Sequence, residues 1–202
     1  MVCLMPSKPT DSSQPVHLVI MGVSASGKTT LAERLAEVTG FPYAEADDFH
    51  PESNKQKMAS GHPLTDEDRW PWLHSLADWM VAHAESGESS VVTCSALRHS
   101  YRDVLREADG VHDGRVLFVE LDAPAPVLLE RLNDRSGHFM PASLLDSQLD
   151  TLEPLTGDEN GLTLDATVDP ETLVAEVLAA AGLPPAVPGT GVSGDLTGGV
   201  PA

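Results

Sequence analysis

The sequence predicts an α/β protein, with a five-stranded parallel sheet flanked by helices on both sides. Three observations carry that expectation. Apolar runs of strand length alternate with segments of helical pattern from residue 16 to residue 182. The runs at Val16–Met21, Ser90–Cys94 and Val116–Leu121 are solid or nearly solid apolar, as strands covered on both faces are. The first run stops at a glycine and continues as Gly22-Val23-Ser24-Ala25-Ser26-Gly27-Lys28-Thr29. That spacing, G-x-x-x-x-G-K-T between a strand and a helix, belongs to a phosphate-cradling loop.

Taken in order, the first strand, Val16–Met21, feeds this loop, and a helix over Lys28–Val38 follows it. A second strand is expected at Pro42–Ala46. The long helical pattern Asp68–Ser86 carries Trp70, Trp72 and Trp79 at helical or near-helical spacing, which marks core or subunit contacts. The third strand, Ser90–Cys94, ends on a cysteine that reads as a small core residue. Helix Arg98–Glu107 leads to the fourth strand, Val116–Leu121. Helices Pro126–Asn133 and Pro141–Leu152, a fifth strand Leu162–Ala166 and helix Pro170–Ala181 complete the fold. In such sheets ligands sit beyond the carboxyl ends of the strands.

Outside this span, residues 1–15 are rich in Ser, Pro and Thr, and residues 183–202 in Pro and Gly. Both read as flexible ends around one domain at 16–182. The formal net charge of −19 argues against nucleic acid as a partner, because such binding needs a basic face. Two cysteines, Cys3 and Cys94, make neither a disulfide framework nor a C-x-x-C site and imply a reducing compartment. No stretch is long and apolar enough to span a bilayer, and the N-terminus lacks the apolar core of a signal peptide. The cytoplasm is the expected location. No structural metal is expected, since His50, His62 and His138 lack ligand spacing.

The loop predicts a bound nucleotide. Its glycines let backbone N–H groups of Gly22 to Thr30 turn toward phosphate oxygens, and the following helix adds its positive end. Lys28 is expected on the β/γ-phosphates and the Thr29 hydroxyl on Mg²⁺ held with ATP. A switch GTPase is disfavoured. The only N-K, Asn54-Lys55, lacks the aspartate of N-K-x-D, and the D-x-x-G matches at Asp158 and Asp195 follow no strand. A motor-type ATPase would use Asp122 at the end of the fourth strand, but "APAP" and a helix follow it, so a turn or cap explains it equally well. A small kinase remains, and it needs an acceptor site and a lid.

The second strand ends in "EADDFHPESNKQKM". Glu45 and Asp47, two apart, share one face of a strand leaving the sheet. One would hold Mg²⁺ through water, and the other would take the proton of an attacking hydroxyl. The alternative is a solvated turn. In "LLERLNDRSGHFMP", Arg131 and Arg135 lie four apart on one side of a helix that Gly137 breaks before His138.

Three segments together carry a resemblance: "DDFHPESNKQKMASGHPLTDEDRWPWL", "CSALRHSYRDVLR" and "RSGHFMPASLLDSQLDTLEPL". In this order, from Val16 to about Leu155, the chain resembles gluconokinases of the small P-loop type, related in fold to shikimate and adenylate kinases. The resemblance implies a P-loop nucleoside triphosphate hydrolase fold with a short lid. It also implies transfer of the γ-phosphoryl of ATP to the 6-hydroxyl of D-gluconate, and a homodimer. It makes Asp47 the acceptor base and places His50, Asn54 and Lys57 where the sugar-acid pocket begins. Arg69 would clamp the carboxylate, and Arg98, Tyr101 and Arg102 would complete an anion-binding wall. Arg131, Arg135 and His138 would belong to a lid that closes on the transferring phosphoryl group. The family more often has Asp where this chain has Glu45, and often Lys in place of Arg98. Nine of the twelve Lys and Arg residues fall within these segments, the phosphate loop and "LLERLNDRSGHFMP", as expected of an acidic protein that receives two anions there. Two rivals stay open: a kinase for shikimate or a nucleoside monophosphate, and a nucleotide-binding regulator without catalysis.

Overall fold

The computed structural model describes residues 14–134 and 142–186. Strands β1 (Val16–Met21), β2 (Tyr43–Glu45), β3 (Ser90–Thr93), β4 (Arg115–Asp122) and β5 (Gly161–Asp165) form one sheet in the order β2-β3-β1-β4-β5. Every neighbouring pair is parallel, as the alternation of strands and helices requires. The helices are α1 (Lys28–Thr39), α2 (Glu52–Ala59), α3 (Asp66–Glu85), α4 (His99–Leu105), α5 (Ala125–Asp134), α6 (Ala142–Thr151) and α7 (Pro170–Ala180).

The solid apolar runs have a direct cause. Successive side chains of a strand point to opposite faces, and both faces are covered. Leu18 and Ile20 of β1 join a core with Leu31 and Leu35 of α1 and Val174 and Val177 of α7. Their neighbours Val19 and Met21 join a second core with Leu73, Leu76 and Met80 of α3 and Leu105 of α4. His17 is the polar exception in β1. Its Nδ1 lies 2.8 Å from Ser90 Oγ across the β1–β3 register. Burial, aided by nearby His83, pushes its imidazole down to about 4.

The structure departs from the expected elements in three places that matter to the site. Strand β2 is short because residues Ala46–Phe49 turn into a 3₁₀ helix. Asp47 therefore sits on that turn and not on a strand face shared with Glu45, which corrects the expected pairing. Helix α2 was not anticipated: of its residues only Asn54 is buried, so it carries no apolar stripe to read. Helix α3 starts at Asp66, two residues early, because the Asp68 carboxylate accepts the Thr65 N–H at 2.7 Å as a cap. Among the described residues, no helix is long and apolar enough to cross a membrane.

Because the sheet is parallel, the chain leaves all strands at one edge. The register aligns Glu45 with Thr93 and Thr93 with Ile20. The loop after β1, the turn after β2 and the segment after β3 thus lie side by side, and Gly22 N–H donates to Ser95 O at 3.3 Å to join two of them.

Candidate functional site

Residues 22–27 wrap into a tight loop. Gly22 has φ +130° and backs onto the Leu121 carbonyl oxygen, which a Cβ would meet at 2.7 Å. Gly27 has φ +101° directly before α1. Only glycine meets both demands without strain. Between them, Ala25 is held left-handed at φ +64°, and Val23 is buried. The loop ends at the N-terminus of α1, where orphan N–H groups favour an anion. Lys28 reaches back over the loop, its Nζ donating to Val23 O at 2.9 Å. The buried Ser26 Oγ has no partner among the described residues. Ser24 N–H donates to Gln148 Oε1 of α6 at 2.7 Å, so a side-chain oxygen occupies part of the oxygen-binding surface. Thr30 is exposed.

Thr29 Oγ1 lies 3.3 and 3.4 Å from the two carboxylate oxygens of Glu45, and Glu45 also accepts from the Tyr43 hydroxyl. A hydroxyl and a carboxylate beside a phosphate loop form a hard-oxygen donor set of the kind Mg²⁺ takes. The residues present fit that ion. No group of three or more His, Cys, Asp or Glu with ligand geometry occurs among the described residues.

The residues expected to meet the acceptor lie on the turn after β2 and on α2, α3 and α4. Asp47 projects into solvent, its side chain 85% exposed, with His50 Nε2 3.9 Å from its carboxylate. His50 itself is buried and stacks on Trp72 at 4.2 Å. Burial lowers its pKa, which favours the neutral ring. Trp72 Nε1 donates to Ala46 O at 2.6 Å, tying α3 to the turn that carries Asp47. Asn54 is buried, and its amide donates to Asp68 O at 2.8 Å. Lys57 pairs with the Asp68 carboxylate. These two residues brace α2 against α3.

A cluster of charge closes this side. Asp66 Oδ2 accepts from Arg98 Nη1 at 2.7 Å. Its Oδ1 accepts from the Tyr101 hydroxyl at 2.6 Å and from Arg69 Nη1 at 3.4 Å. Arg69 and Arg98 flank the Tyr101 ring at 5.6 and 5.7 Å, within cation–π range. Trp70 packs edge-on to the same ring at 5.4 Å. The Tyr101 hydroxyl, followed by Arg98 and Arg69, holds the Asp66 carboxyl below the usual range. The tyrosine itself is pushed up, by burial first and Asp66 second.

Arg102 requires a correction. It does not line an anion-binding wall: its side chain is fully buried and forms a two-pronged pair with Glu159 at 2.6 and 2.8 Å. Its remaining nitrogen donates to Ala96 O and Glu153 O. Helical periodicity explains the error, since Tyr101 and Arg102 are adjacent and point in different directions.

On the other side of the phosphate loop, a cavity of about 390 Å³ opens between α1, α5 and the segment after β5. Ser26, Thr30, Arg131, Ala166, Val168 and Leu173 are among its walls. Arg131 spans it, donating to Ala166 O at 2.7 Å and Ser26 O at 3.5 Å. It therefore belongs to the wall beside the phosphate loop. Arg135 and His138, the other expected lid residues, lie outside the described residues. Asp66, Gln148 and this cavity escaped sequence reading. Asp66 and Gln148 act on partners 35 and 124 residues away, and no local pattern announces such contacts.

Comparison with known proteins fits this architecture. The AAA domain family model matches residues 18–155. A gluconokinase of Gluconobacter oxydans is 44% identical over 165 residues, covering 82% of this chain and 90% of its own. The chain belongs to the gluconokinase-like family of small P-loop kinases. A sugar kinase of Janibacter sp. superposes with a TM-score of 0.77 at 53% identity, covering 85% of this chain and 96% of its own. A gluconokinase of Sinorhizobium meliloti does so with a TM-score of 0.74 at 44% identity, covering 83% and 92%. Membership in this family supports ATP-dependent kinase activity in general.

Proposed function

We propose that the protein transfers the γ-phosphoryl group of ATP to the 6-hydroxyl of D-gluconate, giving ADP and 6-phospho-D-gluconate. The observation that carries this reading is the juxtaposition along one sheet edge of a phosphate loop, an open carboxylate at Asp47 and a paired-guanidinium cluster at Arg69 and Arg98. The gluconokinases among the relatives supply the name of the acceptor.

Chemically, the loop N–H groups and Lys28 hold the phosphates and neutralise charge as it shifts to the β-phosphate. Thr29 and Glu45 would hold Mg²⁺, which supplies charge neutralisation at the phosphates when bound. The 390 Å³ cavity beside Arg131 has a volume suited to the adenine. At the other end, the acceptor carboxylate lies on Arg69 and Arg98, with its hydroxyl end toward Asp47. The 6-hydroxyl oxygen bonds to phosphorus as the bond to the bridging oxygen of ADP breaks, and Asp47 takes the hydroxyl proton. Positioning supplies much of the rate.

The test is regiochemical. Incubation with Mg-ATP and ¹³C-labelled D-gluconate should give a product whose phosphorus couples to C6. Phosphorylation at another carbon, or no phosphorylated sugar acid at all, would contradict the assignment.

A further inference from the structure

The charged cluster at the head of α3 contains its own carboxylate. Asp66 accepts hydrogen bonds from Arg69, Arg98 and Tyr101 at once. Each arginine engages it through Nη1. Bonds from these two guanidiniums to described residues use that nitrogen alone. The neighbouring Lys57–Asp68 pair cancels itself. Two guanidiniums and one carboxylate leave a net charge of +1.

We propose that Asp66 sets the charge class of the acceptor. It holds Arg69, Arg98 and Tyr101 as a clamp whose net charge fits one carboxylate and disfavours a dianionic head group such as a phosphate or phosphonate. Without Asp66 the same two guanidiniums carry +2, a match for a dianion. The side chains of Asp66, Arg69 and Arg98 are 28–39% exposed, so solvent and salt screen the effect to about tenfold in relative affinity. This inference rests on the reading of the cluster as the acceptor's anion clamp.

The experiment uses D-gluconate and its linear phosphonate analogue, in which a phosphonate replaces the carboxylate, at a pH where the phosphonate is dianionic. Binding of each is measured by calorimetry without nucleotide, and transfer by kcat/KM with Mg-ATP. The wild-type chain is expected to favour the carboxylate at least tenfold. Asp66→Asn should move that ratio at least tenfold toward the phosphonate, and Asp66→Glu, which restores the charge, should keep the wild-type ratio. A ratio in Asp66→Asn within twofold of wild type overturns the inference. Equal binding of both probes by the wild-type chain does so without any variant. A chain that binds the carboxylate selectively but never phosphorylates gluconate loses the proposed reaction and keeps the clamp. Transfer to gluconate with an unmoved ratio does the reverse.

Discussion

The guanidinium of Arg102 and the carboxylate of Glu159 meet fork to fork at 2.6 and 2.8 Å with neither side chain exposed. Burial works against the carboxylate's charge, yet Arg102 and the Thr156 N–H outweigh it and hold Glu159 down to about 2. The pair joins α4 to the segment that leads into β5, while Arg102 also binds the carbonyls of Ala96 and Glu153. Removing Arg102 leaves the buried Glu159 with only the part-exposed Arg106, at 3.1 Å, as an ion partner, and breaking a buried pair costs up to roughly 3–5 kcal/mol. Arg102→Met should therefore lose about that much stability in urea denaturation. A variant of wild-type stability with a raised KM for the acceptor would return Arg102 to the binding wall.

Asp47, the proposed base, stands on a 3₁₀ turn with its carboxylate in the open. Asp47→Asn keeps the shape and removes the proton acceptor. Turnover should fall by roughly 10²–10⁴-fold, with ATP affinity unchanged in equilibrium binding. Near-normal turnover in this variant would remove Asp47 from proton transfer.

Arg69 touches Asp66 and Tyr101 and makes no hydrogen bond to the phosphate loop. Its loss should fall on the acceptor. A hydrogen bond to a charged group is worth about 1.5–3 kcal/mol, so Arg69→Ala should raise the KM for gluconate by roughly 10–100-fold and that for ATP far less. Steady-state kinetics with each substrate varied in turn decides this, and equal increases in the two constants would contradict the clamp.

His17 offers a pH test of the fold itself. Its folded pKa of about 4 lies below its ordinary 6.5, so the fold favours the neutral ring. Well above pH 6.5 neither state binds the proton and no penalty arises. As pH falls through 6.5 the unfolded chain gains a proton that the folded chain refuses, and stability declines until about pH 4, with a ceiling of roughly 3 kcal/mol. His50 shares the direction of the shift. His17→Gln should therefore show a flatter loss of stability between pH 7 and 5 than wild type, measured as urea midpoints. Parallel curves would contradict the assignment to His17.

The parts of this architecture that were legible in the sequence are those with local causes. The β1 run, the glycines at 22 and 27 and the lysine at 28 state their roles within a dozen residues, because strand burial and loop geometry are short-range demands. Helix α2 was missed because its stability comes from Asn54 and Lys57 bracing it on α3, not from an apolar face. Asp66 and Glu159 were illegible for a related reason. Asp66 lies in a run of acids at a helix start, and Glu159 in a segment, "DENG", that offers only a D-x-x-G match following no strand. Each acquires its role from an arginine or tyrosine that only the tertiary fold brings near.

ADP release from Mg-ATP, measured with and without D-gluconate and with shikimate and AMP as controls, tests the central claim most directly. The expected result is strong stimulation by gluconate alone. Stimulation by shikimate or AMP instead, or ATP binding that no acceptor converts into ADP release, would contradict it.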